Sequence, residues 1–138
     1  MSRFLDTNVL LRYFVATDPD KARHSRDLLW RVERGGEKVV TSLMVVAEVV
    51  FTLQRTYKVP KARIREMVGD VLSLRSLQLA GKNLCIEALD LYVDKNVSFV
   101  DAYNAIFMRS QGVDEIYSWD SDFDKLPGVR RIEPAGAV

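Results

Sequence analysis

The sequence predicts an α/β fold in which a central parallel sheet of four to five short strands is covered by helices on both faces. Two observations predict it. Short stretches of extended character alternate with amphipathic helical stretches along the chain, which is the pattern of parallel strands joined by helices. The chain has 138 residues, 48% of them hydrophobic, which is the size of one ordinary domain with a buried core. We therefore expect a single domain over residues 1–138.

The first third of the chain predicts one strand and two helices. Residues 3–6 are a strand candidate that enters a polar turn, and residues 9–14 are typical of a short helix. Asp18 and Pro19 predict the start of a longer helix, because Asp caps free amides and Pro fits the first helical position. Helically spaced small and apolar residues follow, and the two glycines at 35–36 end the helix.

The middle of the chain predicts a strand, two helices and a further extended piece. Residues 38–41 form the strand, and Ser42 can cap a helix that runs to about Tyr57. Pro60 opens the next helix, whose apolar residues three and four positions apart form one stripe. The extended piece covers residues 74–79.

The last third predicts two helices and two strands. Asn83 can cap the first helix, and Ser98 can cap the second, which ends at Gly112. Residues 115–118 and 129–132 are the strand candidates. These strands and their predecessors account for the four to five strands of the predicted sheet.

Composition excludes several classes of protein. With 20 Lys and Arg against 19 Asp and Glu, the formal net charge is +1, so nucleic acid cannot be held by bulk charge and needs a local basic patch. The chain contains one cysteine, Cys85, and one histidine, His24. These counts exclude an internal disulfide, a zinc finger and a multi-histidine metal site. The most apolar stretch, residues 39–51, is too short and polar to span a bilayer. We expect a soluble, cytoplasmic protein with no membrane partner.

Two acidic residues directly follow predicted strands. Ligands of parallel sheets bind at the carboxyl ends of strands, so Asp6 and Asp120 are candidate metal ligands, although Asp6 is equally typical of a turn or helix cap. Asp120 opens an Asp-x-Asp-x-Asp run with Asp122 and Asp124. The run is not an EF-hand calcium loop, because that loop needs Gly at position 125 and Glu at position 131. In isolation it is typical of a solvated turn.

Two further carboxylates lie within predicted helices. Glu48 interrupts an apolar helix that we expect to be buried nearly all round, where a carboxylate is costly unless it is paired or metal-bound. The alternative is a narrow solvated strip that Glu48 shares with Thr52 and Arg55. Asp101 is either a metal ligand or the partner of Ser98 in a capping box, and both roles can hold together.

The combination of these residues points to chemistry on phosphate. Several carboxylates in one cleft raise each other's pKa, and hard cations neutralise such clusters. Oxygen ligands without His or Cys favour Mg²⁺ or Mn²⁺. These ions activate water and stabilise charge on phosphate.

Four stretches match one family in order: residues 4–10, 41–50, 97–102 and 117–123. On these stretches the chain resembles the PIN-domain ribonucleases, and most closely the VapC-type toxins of prokaryotic toxin–antitoxin pairs. The resemblance covers almost the whole chain. It implies a PIN-like three-layer α/β/α fold and Mg²⁺- or Mn²⁺-dependent hydrolysis of RNA phosphodiester bonds.

The resemblance also implies roles for individual residues. Asp6, Glu48 and Asp101 match the acidic core. Asp120 matches the fourth acidic position, and Asp122 is near enough in sequence to substitute or assist. Three residues match small polar positions that orient the carboxylates: Thr7, Asn8 and Ser118. Four cations near these positions are candidate RNA contacts, and each is also typical of ordinary helix surface: Arg12, Arg55, Lys58 and Arg109.

The mechanism that the resemblance implies uses an activated water and no protein nucleophile. The implied partners are an RNA substrate, a second copy of the chain in a homodimer, and an antitoxin (VapB-like) with a segment that lies over the acidic cleft. Trp119 lies beside Asp120, where a base-stacking role is conceivable, whereas Trp30 is interpreted as packing.

Three other functions stay open. A PIN nuclease without an antitoxin would have the same site. A phosphoryl-transfer or receiver protein would use Asp6 as nucleophile, but Asn8 stands where the related phosphatases have a second Asp, and no Lys follows the strand at 115–118. A non-catalytic binding module is disfavoured, because all the acidic positions are intact.

Overall fold

The structure is a computed structural model that describes residues 1–136. The chain divides into two compact units, an N-terminal unit of residues 1–82 and a C-terminal unit that begins at Asn83.

The N-terminal unit is built on a three-stranded parallel sheet. Its strands lie in the order β1, β2, β3, with Arg3 opposite Val39 and Val39 opposite Leu77. Two helices connect each strand to the next. The elements are β1 (Arg3–Phe4), α1 (Thr7–Phe14), α2 (Pro19–Glu33), β2 (Val39–Thr41), α3 (Leu43–Arg55), α4 (Lys61–Leu72) and β3 (Leu77–Leu79).

Local signals set the ends of these helices. The Asp18 carboxylate accepts from the Lys21 amide at 3.1 Å, and the Ser42 hydroxyl accepts from the Val45 amide at 3.3 Å, so both predicted caps are confirmed. Beyond α2, Gly35 has a φ of 80°, a left-handed conformation that Gly adopts without steric cost. Each of these boundaries follows from residues within one helical turn.

The core of the N-terminal unit is aliphatic. Leu53 of α3, Ile64 of α4 and Leu77 of β3 are fully buried. Close by, the Lys82 ammonium donates to the carbonyl of Leu74 at 3.0 Å and also to that of Leu77, and burial lowers the pKa of Lys82. A cation is thereby used to satisfy carbonyls beside β3.

The C-terminal unit contains two long helices and a two-stranded parallel sheet. Fully buried Cys85 and Tyr92 lie in its core, and burial raises the pKa of the Cys85 thiol to about 11, so the thiol stays protonated at neutral pH. The Ser98 hydroxyl accepts from the Asp101 amide at 3.1 Å, which confirms the predicted cap. The elements are α5 (Lys82–Asp94), α6 (Phe99–Ser110), β4 (Glu115–Tyr117), a 3₁₀ turn (Ser121–Lys125) and β5 (Arg130–Ile132).

The predicted architecture is confirmed in its elements. Among residues 1–136, six α-helices and five strands are formed, all strand pairs are parallel, and hydrogen bonds group the strands as three plus two. One cap prediction is wrong: α5 begins at Lys82, so Asn83 is a helical residue. Gly81, with a φ of 72°, makes the turn before it. None of the helices in the described part of the chain is long and apolar enough to span a membrane.

Candidate metal centre

Three carboxylates of the C-terminal unit form a cluster. Asp101, Asp120 and Asp122 each offer an oxygen, and these three atoms lie within 4.8 Å of one another. Asp101 is in the first turn of α6, Asp120 lies just beyond β4, and Asp122 is in the 3₁₀ turn. We call this group the acidic cluster.

The loop after β4 holds two members of the acidic cluster through its own hydrogen bonds. The Ser118 hydroxyl accepts from the Asp120 amide at 2.9 Å, and the Asp120 carboxylate accepts from the Asp122 amide at 2.9 Å. The Ser118 amide in turn donates to the carbonyl of Ile132 on β5 at 3.1 Å. Ser118 therefore connects the sheet to the backbone of Asp120, and its role in orienting the carboxylate stays a prediction.

Electrostatic repulsion is present within the acidic cluster. Partial burial raises the pKa of Asp101, and the negative charge of Asp120 raises it further, while a hydrogen bond with the Ser98 side chain acts in the opposite direction. Lys125 pairs with Asp122 at 3.1 Å and offsets part of the charge. A bound cation would relieve the remaining repulsion.

The third acid of the Asp-x-Asp-x-Asp run, Asp124, is not part of the acidic cluster. Asp124 accepts from Arg131 through both carboxylate oxygens, at 3.1 and 3.2 Å, and the same guanidinium also bonds to Glu133 at 3.2 Å. The run is thus neither a calcium loop nor a uniformly solvated turn. Two of its acids join the acidic cluster, and the third forms a bidentate ion pair, which is a strong arrangement for Arg.

Asp6 lies at the carboxyl end of β1, in the N-terminal unit. It occupies the cap position of α1, but its side chain makes no capping hydrogen bond, so the carboxylate is not used as a helix cap. Of the two residues that follow Asp6, Thr7 is buried and Asn8 is exposed. Next to them, the buried Thr41 hydroxyl at the end of β2 donates to the carbonyl of Leu5 at 2.9 Å. This bond fixes the backbone directly before Asp6.

The expected burial of Glu48 is wrong. Glu48 is exposed on α3 and shares an exposed strip with Met44, Phe51 and Arg55. The prediction relied on the apolar sequence of this helix. In the structure Met44, Phe51 and Arg55 face solvent, whereas the valines between them are buried. The alternative, a solvated strip, is confirmed for Glu48 and Arg55, while Thr52 is half-buried. Glu48 is therefore available to solvent and to a ligand.

The structure brings together three of the five predicted metal ligands. Asp6 and Glu48 belong to the N-terminal unit, where Asp6 follows β1 and Glu48 lies on the helix that follows the neighbouring strand β2. That these two join the acidic cluster stays a prediction.

The donor set of the acidic cluster fits a hard divalent cation. All of its donors are carboxylate oxygens, which is the ligand type that Mg²⁺ and Mn²⁺ favour, and it contains no imidazole or thiolate for a softer metal. Mg²⁺ commonly uses only a few carboxylates and keeps several waters. Three carboxylates are therefore a sufficient protein contribution.

Comparison with known proteins identifies the family. The family model described as PIN domain matches residues 3–129. The chain belongs to the PIN domain family. Among curated proteins, this PIN domain is similar to a VapC ribonuclease of Aquifex aeolicus (strain VF5), with 27% identity over 132 residues and 96% of each chain covered.

Among solved structures, this PIN domain is similar to VapC20 of Mycobacterium tuberculosis, which is described as a Sarcin-Ricin loop cleaving toxin. The two share 26% sequence identity with a TM-score of 0.39, and the match covers 96% of this chain and 100% of the other.

The four cations predicted to contact RNA differ in their surroundings. The Arg12 guanidinium donates to the Thr17 hydroxyl at 3.3 Å. Arg55 lies over the Phe51 ring at 5.5 Å, and Lys58 is exposed in a turn with a φ of 56°. Arg109 forms an ion pair with Glu87. In this PIN domain, Arg109 is thus already paired with a carboxylate, and contact of any of the four cations with RNA stays a prediction.

The sequence pattern predicts no separate role for Thr41. A Thr that ends a buried strand is nevertheless a polar group that must find a partner. The available signal was its position at the carboxyl end of β2, next to β1. In this PIN domain that position lets its hydroxyl reach the residue before Asp6.

Proposed function

We propose that this chain is a VapC-like toxin, a Mg²⁺- or Mn²⁺-dependent endoribonuclease that hydrolyses phosphodiester bonds in RNA. The observation that carries the proposal is the acidic cluster of Asp101, Asp120 and Asp122. It occurs in a chain of the PIN family that is 27% identical to a VapC ribonuclease. Family membership alone would also fit a non-catalytic copy of the fold, but such a copy has no need of mutually repelling carboxylates.

The residues proposed to hold the cation are those of the acidic cluster, and Asp6 and Glu48 are proposed to complete the same centre. When bound, the cation would supply charge stabilisation on the phosphate and a lowered pKa for water. The chain itself contributes orientation. Ser118 and the Asp122 amide hold Asp120 in place, and Thr41 holds the backbone before Asp6. No side chain is proposed as a nucleophile.

The proposed partners follow from the same relationship. They are the RNA substrate, an antitoxin of the VapB type that covers the acidic cleft, and a second copy of the chain. We place this activity in the cytoplasm, where a buried free thiol such as that of Cys85 fits the reducing conditions. A small neighbouring reading frame with a DNA-binding half would favour the toxin over a PIN nuclease that lacks an antitoxin.

The test compares carboxylates inside and outside the acidic cluster. Purified wild-type protein is incubated with a mixed RNA pool in Mn²⁺ or in EDTA, beside D101N, D120N and the control D124N, whose carboxylate pairs with Arg131 instead. We expect cleavage by the wild type in Mn²⁺ alone, a loss of about 100-fold or more for D101N and D120N, and near wild-type cleavage for D124N.

A second measurement does not depend on activity. At a metal concentration of about 100 times Kd, binding to the folded state adds about 2.7 kcal/mol of stability. We expect Mn²⁺ to raise the Tm of the wild type and of D124N but to have much less effect on D101N. Undiminished cleavage by D101N and D120N would contradict the assignment. A stable aspartyl-phosphate on Asp6 after acetyl-phosphate treatment would favour the phosphoryl-transfer alternative instead.

A further inference from the structure

Two aromatic side chains stand exposed directly before the acidic cluster in the chain. Tyr117, the last residue of β4, is 66% exposed, and Trp119 is 72% exposed. Between them, the Ser118 amide still donates to the carbonyl of Ile132 on β5, so the chain remains strand-like up to Ser118. Among residues 1–136, neither ring is stacked on another ring of the chain.

Neither ring is part of the core, because most of its surface stays in water. An indole contributes little to stability when most of its surface stays in water, and aromatic groups on a surface commonly mark a binding site. Trp119 immediately precedes Asp120, and consecutive Cα atoms are about 3.8 Å apart. The indole is therefore carried on the backbone next to a member of the acidic cluster.

The charges around the acidic cluster disfavour recognition of RNA through its phosphates alone. Residues 83–138 contain ten Asp and Glu against five Lys and Arg. Four of these five cations already pair with carboxylates. The pairs are Arg109 with Glu87, Lys125 with Asp122, Arg130 with Glu115, and Arg131 with Asp124 and Glu133. A polyanion that approaches this unit needs a further source of attraction.

The face of a nucleobase supplies such attraction without positive charge. Stacking of a base on an aromatic side chain contributes about 1–3 kcal/mol, and it tolerates any base because each one has a π face. Bases within a duplex are stacked on each other, so their faces are accessible only in single strands, loops and bulges.

We propose that Trp119, assisted by Tyr117, stacks on an unpaired base of the RNA next to the bond that is cut. This inference rests on the proposed ribonuclease function and adds Trp119 to it as a residue that contacts the substrate. The base on Trp119 sets the position of the adjacent phosphate relative to Asp120. Trp119 is thus a substrate-binding residue and takes no part in proton transfer.

Trp30 provides a matched control. It is 57% exposed, and it lies on α2 in the N-terminal unit with the Arg34 guanidinium over its ring at 4.5 Å. Removal of this indole deletes the same type of group from the surface of the other unit.

The experiment measures binding of a short labelled single-stranded RNA and of the same sequence as a blunt duplex. D101N serves as the background so that cleavage does not deplete the probe, and D101N/W119A, D101N/W119F and D101N/W30F are compared with it. We expect W119A to weaken single-strand binding about tenfold, W119F to restore most of it, and W30F to have no effect. Duplex binding should be the same for all four proteins.

Steady-state kinetics in the otherwise wild-type protein complete the test. Because the stacked base sets the position of the adjacent phosphate, we expect W119A to raise KM and also to lower kcat. Equal single-strand affinity with and without Trp119 would overturn the inference, as would an equal loss on the duplex. Gel filtration in which W119A dissociates a dimer would also overturn it, because the ring would then serve a protein contact.

These outcomes separate the inference from the proposed function. If the wild type cleaves RNA and W119A binds it unchanged, only the stacking role fails. If W119A weakens single-strand binding but the wild type cleaves no RNA in Mg²⁺ or Mn²⁺, the proposed ribonuclease fails and with it the positioning role at a cleaved bond.

Discussion

Residues 1–82 contain 15 Lys and Arg against nine Asp and Glu, whereas residues 83–138 contain five against ten. The formal charges of the two units are therefore about +6 and −5 with His24 neutral, and they nearly cancel in the whole-chain value of +1. The net charge of the chain says little about the field that a ligand meets at either unit. A divalent cation is attracted to the C-terminal unit, and a polyanion to the N-terminal unit.

The units also differ in how their charges are used. In the C-terminal unit Arg131 bridges two acids, and the pKa of Asp101 is raised by partial burial and then by the nearby charge of Asp120. In the N-terminal unit Arg55 and Lys58 are exposed, and Lys82 is used internally to bond carbonyls. The difference teaches that a near-neutral chain can carry a basic surplus in one part of its sequence and an acidic surplus in the other.

The largest effect tests whether the two units unfold together. Leu53 of α3 and Leu89 of α5 are matched, fully buried leucines. Truncation of either one, L53A or L89A, should lower the free energy of unfolding by about 3 kcal/mol, from lost burial and a residual cavity. We expect one cooperative urea transition that both variants shift, because a 138-residue chain is predicted to form a single domain.

The alternative to cooperative unfolding has a clear signature. If each variant shifts only one of two separate transitions, the units are independent domains and the single-domain prediction is wrong. The C-terminal unit has fewer than about 60 residues, which is near the smallest size at which an isolated domain buries enough surface to be stable.

The next effect tests the charge asymmetry. The double variant R55Q/K58Q should weaken RNA binding and reduce the slope of log K against log salt by about 2, because each cation lost from a phosphate contact changes it by about 1. R109Q is the matched control from the C-terminal unit, where Arg109 already pairs with Glu87. An equal change of slope for R109Q would show that RNA contacts do not follow the charge of the units.

The smallest effect compares two helix caps. S42A and S98A each remove a hydroxyl that accepts from a backbone amide, at 3.3 and 3.1 Å. Each should cost about 1 kcal/mol in the free energy of unfolding. S98A alone should also weaken Mn²⁺ binding, measured by calorimetry, because the amide it releases belongs to Asp101. Equal metal affinity in both variants would show that the cap does not orient that carboxylate.

Local sequence signals predicted most of the secondary structure. Asp18, Ser42 and Ser98 act as caps through bonds to amides three residues away, so no distant residue is needed to predict them. Asn83 failed as a cap because the turn at Gly81 lets α5 begin one residue before it. At helix ends, two adjacent signals compete, and the sequence does not say which one prevails.

Side-chain surroundings were less predictable than helix boundaries. Glu48 was expected to be buried on composition alone, but burial depends on which face of α3 has neighbours, and the face with Glu48 has few. Asp122 and Asp124 are chemically identical and two residues apart, yet one joins the acidic cluster and the other pairs with Arg131. Only the position of β5, which carries Arg131, distinguishes them.

The sequence by itself determined the alternation of helices and strands, the three helix caps and the identity of the candidate acids, because these depend on residues within a few positions of each other. The tertiary structure decided that Asp101 meets Asp120 and Asp122, that Thr41 reaches Leu5, and that Trp119 stays in solvent. These features depend on chain segments that are distant in sequence, and their proximity is set by the sum of many packing contacts that no local pattern records.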